Sequence, residues 1–180
     1  MSAGQEVLLY LLRVGHIFAG VTWIGLLYYF NFVQVPAFAK MDPGARSNAI
    51  QFLVPKALLW FRWAALGTVV FGLLYVIVMA SGDPALGGGS TYLESHRFKS
   101  ILIGGTLGII MAANVWFIIW PNQKKIIAAT TATATDGTPA PADQPKWARA
   151  ALLASRTNTM LSIPMLFFMA GAIHLPRLWS

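Results

Sequence analysis

The chain has 180 residues, 57% of them hydrophobic and only 11% charged, with a formal net charge of +7. That apolar excess excludes an ordinary soluble domain and sets the expectation of one membrane domain over residues 1–180. The positive charge does not indicate nucleic acid, because the basic residues flank apolar runs; the absence of cysteine excludes disulfides, thiolate metal sites and a covalent c-type haem.

Four runs are long enough to cross roughly 30 Å of hydrocarbon, which takes about 20 residues each. The first covers about 7–35 and is expected to stop at Pro36. It lacks the basic n-region and small-residue cleavage site of a signal peptide, so it is expected to stay in the mature protein. Arg13, His16, Gly20, Trp23, Leu27, Asn31 and Gln34 follow steps of three and four and share one helix face. Ionisable groups in hydrocarbon cost about 2.5–3.5 kcal/mol each on the insertion scale and normally face a bundle interior. This face therefore reads as the inner wall of a site, with Gly20 leaving room for something flat or bulky.

A polar loop follows at 40–51, with Asp42-Pro43-Gly44 as its turn signal. The second span covers about 57–80, and Gly87-Gly88-Gly89-Ser90 reads as a flexible connection. The third covers about 98–120 and is expected to stop at Pro121. Residues 128–145 are Ala/Thr/Pro-rich and predict a mobile loop. The fourth span covers about 148–173, with a kink expected at Pro164. These elements predict an all-α fold: an integral membrane, antiparallel four-helix bundle with both termini on one side.

Loop charge gives the orientation. The side opposite the termini receives Lys40, Arg46, Lys56, Lys124, Lys125, Lys146 and Arg149. The terminal side receives Arg97, Lys99 and Arg177. The positive-inside rule then puts the termini in the periplasm of a bacterial inner membrane.

All three histidines fall on the terminal side. His96, beside Arg97 in a loop, reads as a solvated histidine. His16 and His174 lie in or near apolar sequence on the first and fourth helices, which an antiparallel bundle brings to one end. Two histidines on facing helices are the minimal set for a b-type haem, whose iron they would ligate as the only metal. Arg13 is placed to pair with a propionate and Trp23 to pack on the ring. At the other end Asn31, Gln34, Asn114, Asn122, Arg156 and Asn158 are candidates for one polar cluster. That cluster is either a network of interhelical hydrogen bonds or a small-molecule site. Gly104 and Gly108 make a small-xxx-small contact, and the tryptophans near the span ends read as an aromatic belt. The sequence carries no phosphate loop, nucleophile elbow or zinc-protease motif, and its six acidic residues lie in loops or near the N-terminus.

Two sets of residues carry a family resemblance. His16, Ala19-Gly20, Thr22-Trp23-Ile24-Gly25 and Tyr28-Tyr29-Phe30 resemble the opening helix of the membrane domain of bacterial cytochrome-c-fused urate hydroxylases, the urate oxidase N-terminal domain. Asn114-Val115, Pro121-Asn122-Gln123-Lys124-Lys125, Arg156, Asn158, Leu161, Ile163-Pro164, Leu166-Phe167 and His174 resemble that domain's closing helices. The first helix is also similar to the opening of bacterial haem-binding protoporphyrinogen oxidase. With four spans and no cysteine, the chain reads as a shortened, stand-alone member. The resemblance implies a redox role, with haem b as cofactor and a periplasmic cytochrome c or larger membrane complex as partner. A second reading is a non-catalytic accessory subunit of a respiratory or photosynthetic complex.

Overall fold

The computed structural model describes residues 3–174. Among them the regular structure is helical, with no strand. Three helices are long and apolar enough to cross a membrane: α1 (Ala3–Lys40), α2 (Pro43–Ala80) and α4 (His96–Asp136). The short α3 (Gly89–Glu94) lies between α2 and α4, and α5 (Gln144–His174) follows.

Helix α5, where the fourth span was expected, is not among the helices apolar enough to cross a membrane. It is long, but its length carries Asn158, Thr159 and Ser162. Asn158 and Ser162 are fully buried against the other helices. A hydropathy reading counts such residues as if they met lipid, so the polar buried face lowers the apolarity of the helix.

Helix starts follow from local chemistry. Asp42 caps α2, its Oδ1 accepting from the Ala45 amide at 2.9 Å, with Pro43 at the first helical position. Ser95 caps α4 by accepting from the Phe98 amide at 3.1 Å. Helix α4 ends at Gly137, whose φ of 65° is the left-handed geometry that glycine adopts without strain.

Two expected stops are not stops. Helix α1 runs through Pro36 and α4 through Pro121. A proline within a helix donates no hydrogen bond and its ring clashes with the carbonyl four residues back. All three apolar helices meet this in the same way. A wide π-turn precedes each proline: Tyr29–Gln34, Ala49–Leu53 and Val115–Ile119. The residue before each proline donates five residues back: Val35 to Phe30, Val54 to Ala49 and Trp120 to Val115. The widened turn gives the ring room, so the helix continues.

The loop expected over 128–145 is also corrected. Helix α4 extends to Asp136, and only residues 137–143 are non-helical. Alanine is the strongest helix former, and the threonines are accommodated by back-bonding. Thr133 and Thr135 each donate to the carbonyl four residues earlier at 3.0 Å.

Helices α1 and α2 lie side by side with residue numbers rising along one as they fall along the other, from Arg13–Tyr75 through His16–Thr68 to Phe30–Phe61. The α4 and α5 pair does the same, from Gly104–Met169 to Asn114–Asn158. The main core takes Trp23 and Leu27 from α1, Phe61 and Ala65 from α2, Met111 and Val115 from α4 and Ala154 from α5. A smaller core holds Leu9, Leu12, Tyr75, Met79 and Tyr92. The outer faces are strongly apolar: Phe18 is 72% exposed and Phe117 80%. Apolar side chains outward around a core that contains buried polar groups is the pattern of helices solvated by hydrocarbon.

Candidate functional site

The α1–α2 contact is built from small residues. Gly15 and Ala19 of α1 meet Phe71 and Gly67 of α2, so the two helices run close together. His16 lies in this seam. Its ring rests over Gly72, where an added Cβ would come within 2.9 Å of Nδ1. That nitrogen is 2.8 Å from the Thr68 carbonyl oxygen. A carbonyl only accepts, so Nδ1 carries the hydrogen and donates it. In the neutral imidazole Nε2 then holds the lone pair, which is the arrangement by which histidines are oriented for metal ligation. Gly20 does not open a slot for a flat group. It faces the Thr68 methyl, which an added Cβ would meet at 3.8 Å, and its smallness serves helix approach.

Trp23 is 1% exposed within the main core, and its buried Nε1 has no hydrogen-bond partner. His174 is exposed in the last described turn of α5, and the hydrogen bond of His16 goes to Thr68 rather than toward it. Two groups on this face are left uncommitted: Nε2 of the oriented His16 imidazole and the buried Trp23 indole N–H. Among the described residues no three His, Asp or Glu side chains gather into a metal site.

Arg13 binds elsewhere than along the histidine face. Its Nη2 donates to the Tyr75 hydroxyl at 2.8 Å, and the Nη2 of Arg97 donates to the same oxygen at 3.0 Å. The two guanidinium groups and Tyr75 line a cleft of about 210 Å³ with Glu6, Leu9 and Tyr10. Beside it Tyr92 is buried with an unpartnered hydroxyl, and its pKa is pushed up to about 12, mainly by burial and further by Tyr75, against the pull of Arg97. Sequence reasoning missed Tyr75 and counted Arg97 as loop charge. The available signal was the seven-residue step from Thr68 to Tyr75, which repeats one face of α2.

The six residues expected to form one polar cluster separate into distinct contacts. Asn158 donates to the Met111 carbonyl at 2.9 Å and accepts from Asn114 at 2.9 Å, tying α5 to α4. Asn31 donates to Ser155 at 2.8 Å, and Tyr28 shares a 2.9 Å hydrogen bond with Ser162, tying α1 to α5. Asn122 donates to its own helix at Ile118, Arg156 is exposed, and the Gln34 Oε1 is buried without a partner. Sequence reasoning also passed over Arg62, which lies inside α2 with its guanidinium carbon 3.8 Å from the centre of the Trp120 ring. Trp63 and Trp116 meet edge to face beside that region.

These features define a class: an all-helical protein with three helices long and apolar enough to cross a membrane, two of which, α1 and α4, are tied to α5 by side-chain amides and hydroxyls. Residues 86–180 match the family described as urate oxidase N-terminal, and the chain belongs to that family. The match runs from the turn before α3 to the end of the chain, so it takes in the Asn114–Asn158 contact and leaves out His16. No curated protein and no solved structure matches the chain.

Proposed function

We propose that the chain is a redox-associated inner-membrane protein of the urate oxidase N-terminal family, with α1, α2, α4 and α5 crossing the bilayer as an antiparallel four-helix bundle. Basic residues crowd the ends opposite the termini, Lys124, Lys125, Lys146 and Arg149 among them, which supports a cytoplasmic location for those ends and a periplasmic one for the termini.

One observation carries the redox reading: His16 donates Nδ1–H to the Thr68 carbonyl, which fixes the ring and frees Nε2 as a ligand. Register supports His174 as the second ligand. Tyr28 meets Ser162, and His16 and His174 lie equally far along their helices from that contact, toward the same end. A b-type haem bound there supplies a one-electron iron centre. The chain's own part is to hold the imidazole in its tautomer and to keep water from the seam through the Gly15, Ala19 and Gly67 packing. Electrons would leave on the periplasmic side, to a cytochrome c or a larger complex.

The test is a reduced-minus-oxidised spectrum of gently purified protein with a pyridine haemochrome assay. A b-type Soret signal that disappears in His16→Ala is expected. A colourless protein with intact helical circular dichroism overturns the haem assignment.

A second reading is favoured by the polar contacts. Asn31 with Ser155, Asn114 with Asn158, and Tyr28 with Ser162 form hydrogen bonds with one another, and Asn158 also with backbone, which suits a non-catalytic accessory subunit of a membrane complex. Loss of a partner complex's activity on deletion, with no loss in His16→Ala, would select it.

A further inference from the structure

We infer that the cleft between Arg13 and Arg97 binds the phosphate of an anionic phospholipid. The inference rests on the membrane-embedded reading above and is independent of haem.

Three elements meet at this cleft: the first turns of α1, the last turns of α2 and the start of α4. Two guanidinium groups converge on one hydroxyl oxygen, Tyr75 Oη. Two cations held this close repel one another, and the tyrosine oxygen is a neutral acceptor that does not balance them. Among the described residues the one ion pair is Lys146–Asp143, so neither arginine has a carboxylate in salt-bridge contact. Glu6 lines the cleft without pairing with either. Arg97 also carries a buried Nε–H with no partner. Each guanidinium commits one N–H group to Tyr75, which fixes the fork and leaves other donors for an oxyanion. Two convergent guanidinium groups with N–H donors to spare make a site suited to an oxyanion.

The remaining lining selects the kind of anion. Leu9 and Tyr10 border the arginines, and the adjoining outer face of α1 is apolar and open at Val7, Leu11 and Val14. A phosphodiester in the cleft would place its acyl chains along that face, in the hydrocarbon. A free phosphate would leave the apolar border uncovered. Tyr10, 64% exposed, has the amphipathic character of residues at the headgroup level.

The experiment is native mass spectrometry of the full chain released from detergent, titrated with dioleoyl phosphatidylglycerol, dioleoyl phosphatidylcholine or inorganic phosphate. Phosphatidylglycerol is expected to bind at low stoichiometry and phosphatidylcholine at least about tenfold more weakly. Arg13→Gln, at an exposed position, is expected to weaken phosphatidylglycerol binding about tenfold, as loss of a charge-assisted hydrogen bond should. Glu6→Gln is expected to strengthen it, and Arg149→Gln, far from the cleft, to leave it unchanged. Equal binding of the two lipids, or unchanged binding in Arg13→Gln, overturns the site. Competition by inorganic phosphate at concentrations equal to the lipid overturns the lipid assignment in favour of a free anion. Carbonate extraction of cell membranes is run alongside. Release of the chain by carbonate overturns the membrane reading, whereas retention with no lipid preference overturns this inference alone.

Discussion

Asn158, fully buried on α5, accepts from the Asn114 amide at 2.9 Å and hands its own amide to the Met111 carbonyl at 2.9 Å. One side chain thereby fixes α5 on α4 at a single height. Removing it leaves the Asn114 donor without its acceptor and opens a void. Asn158→Ala is expected to destabilise the fold by about 1–3 kcal/mol. A double-mutant cycle with Asn114→Ala should return a coupling of about 0.6 kcal/mol, the usual size for an interhelical hydrogen bond in a membrane protein. Thermal unfolding in one detergent, followed by circular dichroism, measures both.

The His16 ring occupies the space that a side chain at Gly72 would need. Gly72→Ala would put a methyl 2.9 Å from Nδ1, so the ring or the helix must shift and the Thr68 contact is disturbed. A loss of about 1–3 kcal/mol is expected, typical of overpacking. Gly25→Ala is the control, since an added Cβ there meets nothing within 4 Å. It should be neutral or stabilise by up to about 1 kcal/mol through the loss of unfolded-state freedom. Parallel melting curves of the two variants separate close packing from a general intolerance of alanine.

Arg62 is a cation inside α2 whose guanidinium sits 3.8 Å from the Trp120 ring centre, with its Nε buried and unpartnered. Trp120→Leu should cost about 2 kcal/mol, the scale of a desolvated cation–π contact. Trp120→Phe should cost less, because a smaller π-face remains. Adding Arg62→Met to Trp120→Leu should recover part of the loss, since the stranded charge goes with it. Unfolding of the three variants decides whether the contact stabilises the charge or is incidental.

Tyr92 titrates late. Burial holds its phenol at about 12 against an ordinary 10.0. The folded state therefore keeps a proton that the unfolded chain has already lost. Stability is intact below pH 10 and falls as pH rises from there to about 12. Tyr92→Phe should remove this part of the alkaline loss. At neutral pH it should be neutral or slightly stabilising, because the hydroxyl it deletes is buried without a partner. Melting temperatures of both proteins from pH 8 to pH 12 give the comparison as a difference curve.

The sequence by itself determined the helical class, the positions of the apolar runs and the family. Apolar length and the scarcity of charge leave hydrogen-bonded helices as the way to bury the backbone, and that inference needs no tertiary contact. The steps of three and four from His16 through Trp23 to Leu27 also put those residues on one inward face, and Trp23 and Leu27 are in the core. Helix continuity was not legible. Proline is a stop by local propensity, and at Pro36 and Pro121 only the wide turn ahead of the ring shows that the chain runs on. Helix α4 likewise reaches Asp136 through residues whose low complexity reads as loop. What each polar side chain meets was decided by tertiary structure alone. Arg13 and Arg97 lie far apart in sequence and converge only because Tyr75 on α2 stands between them. Periodicity assigns a residue to a face, while its partner depends on which helix packs there and at what height.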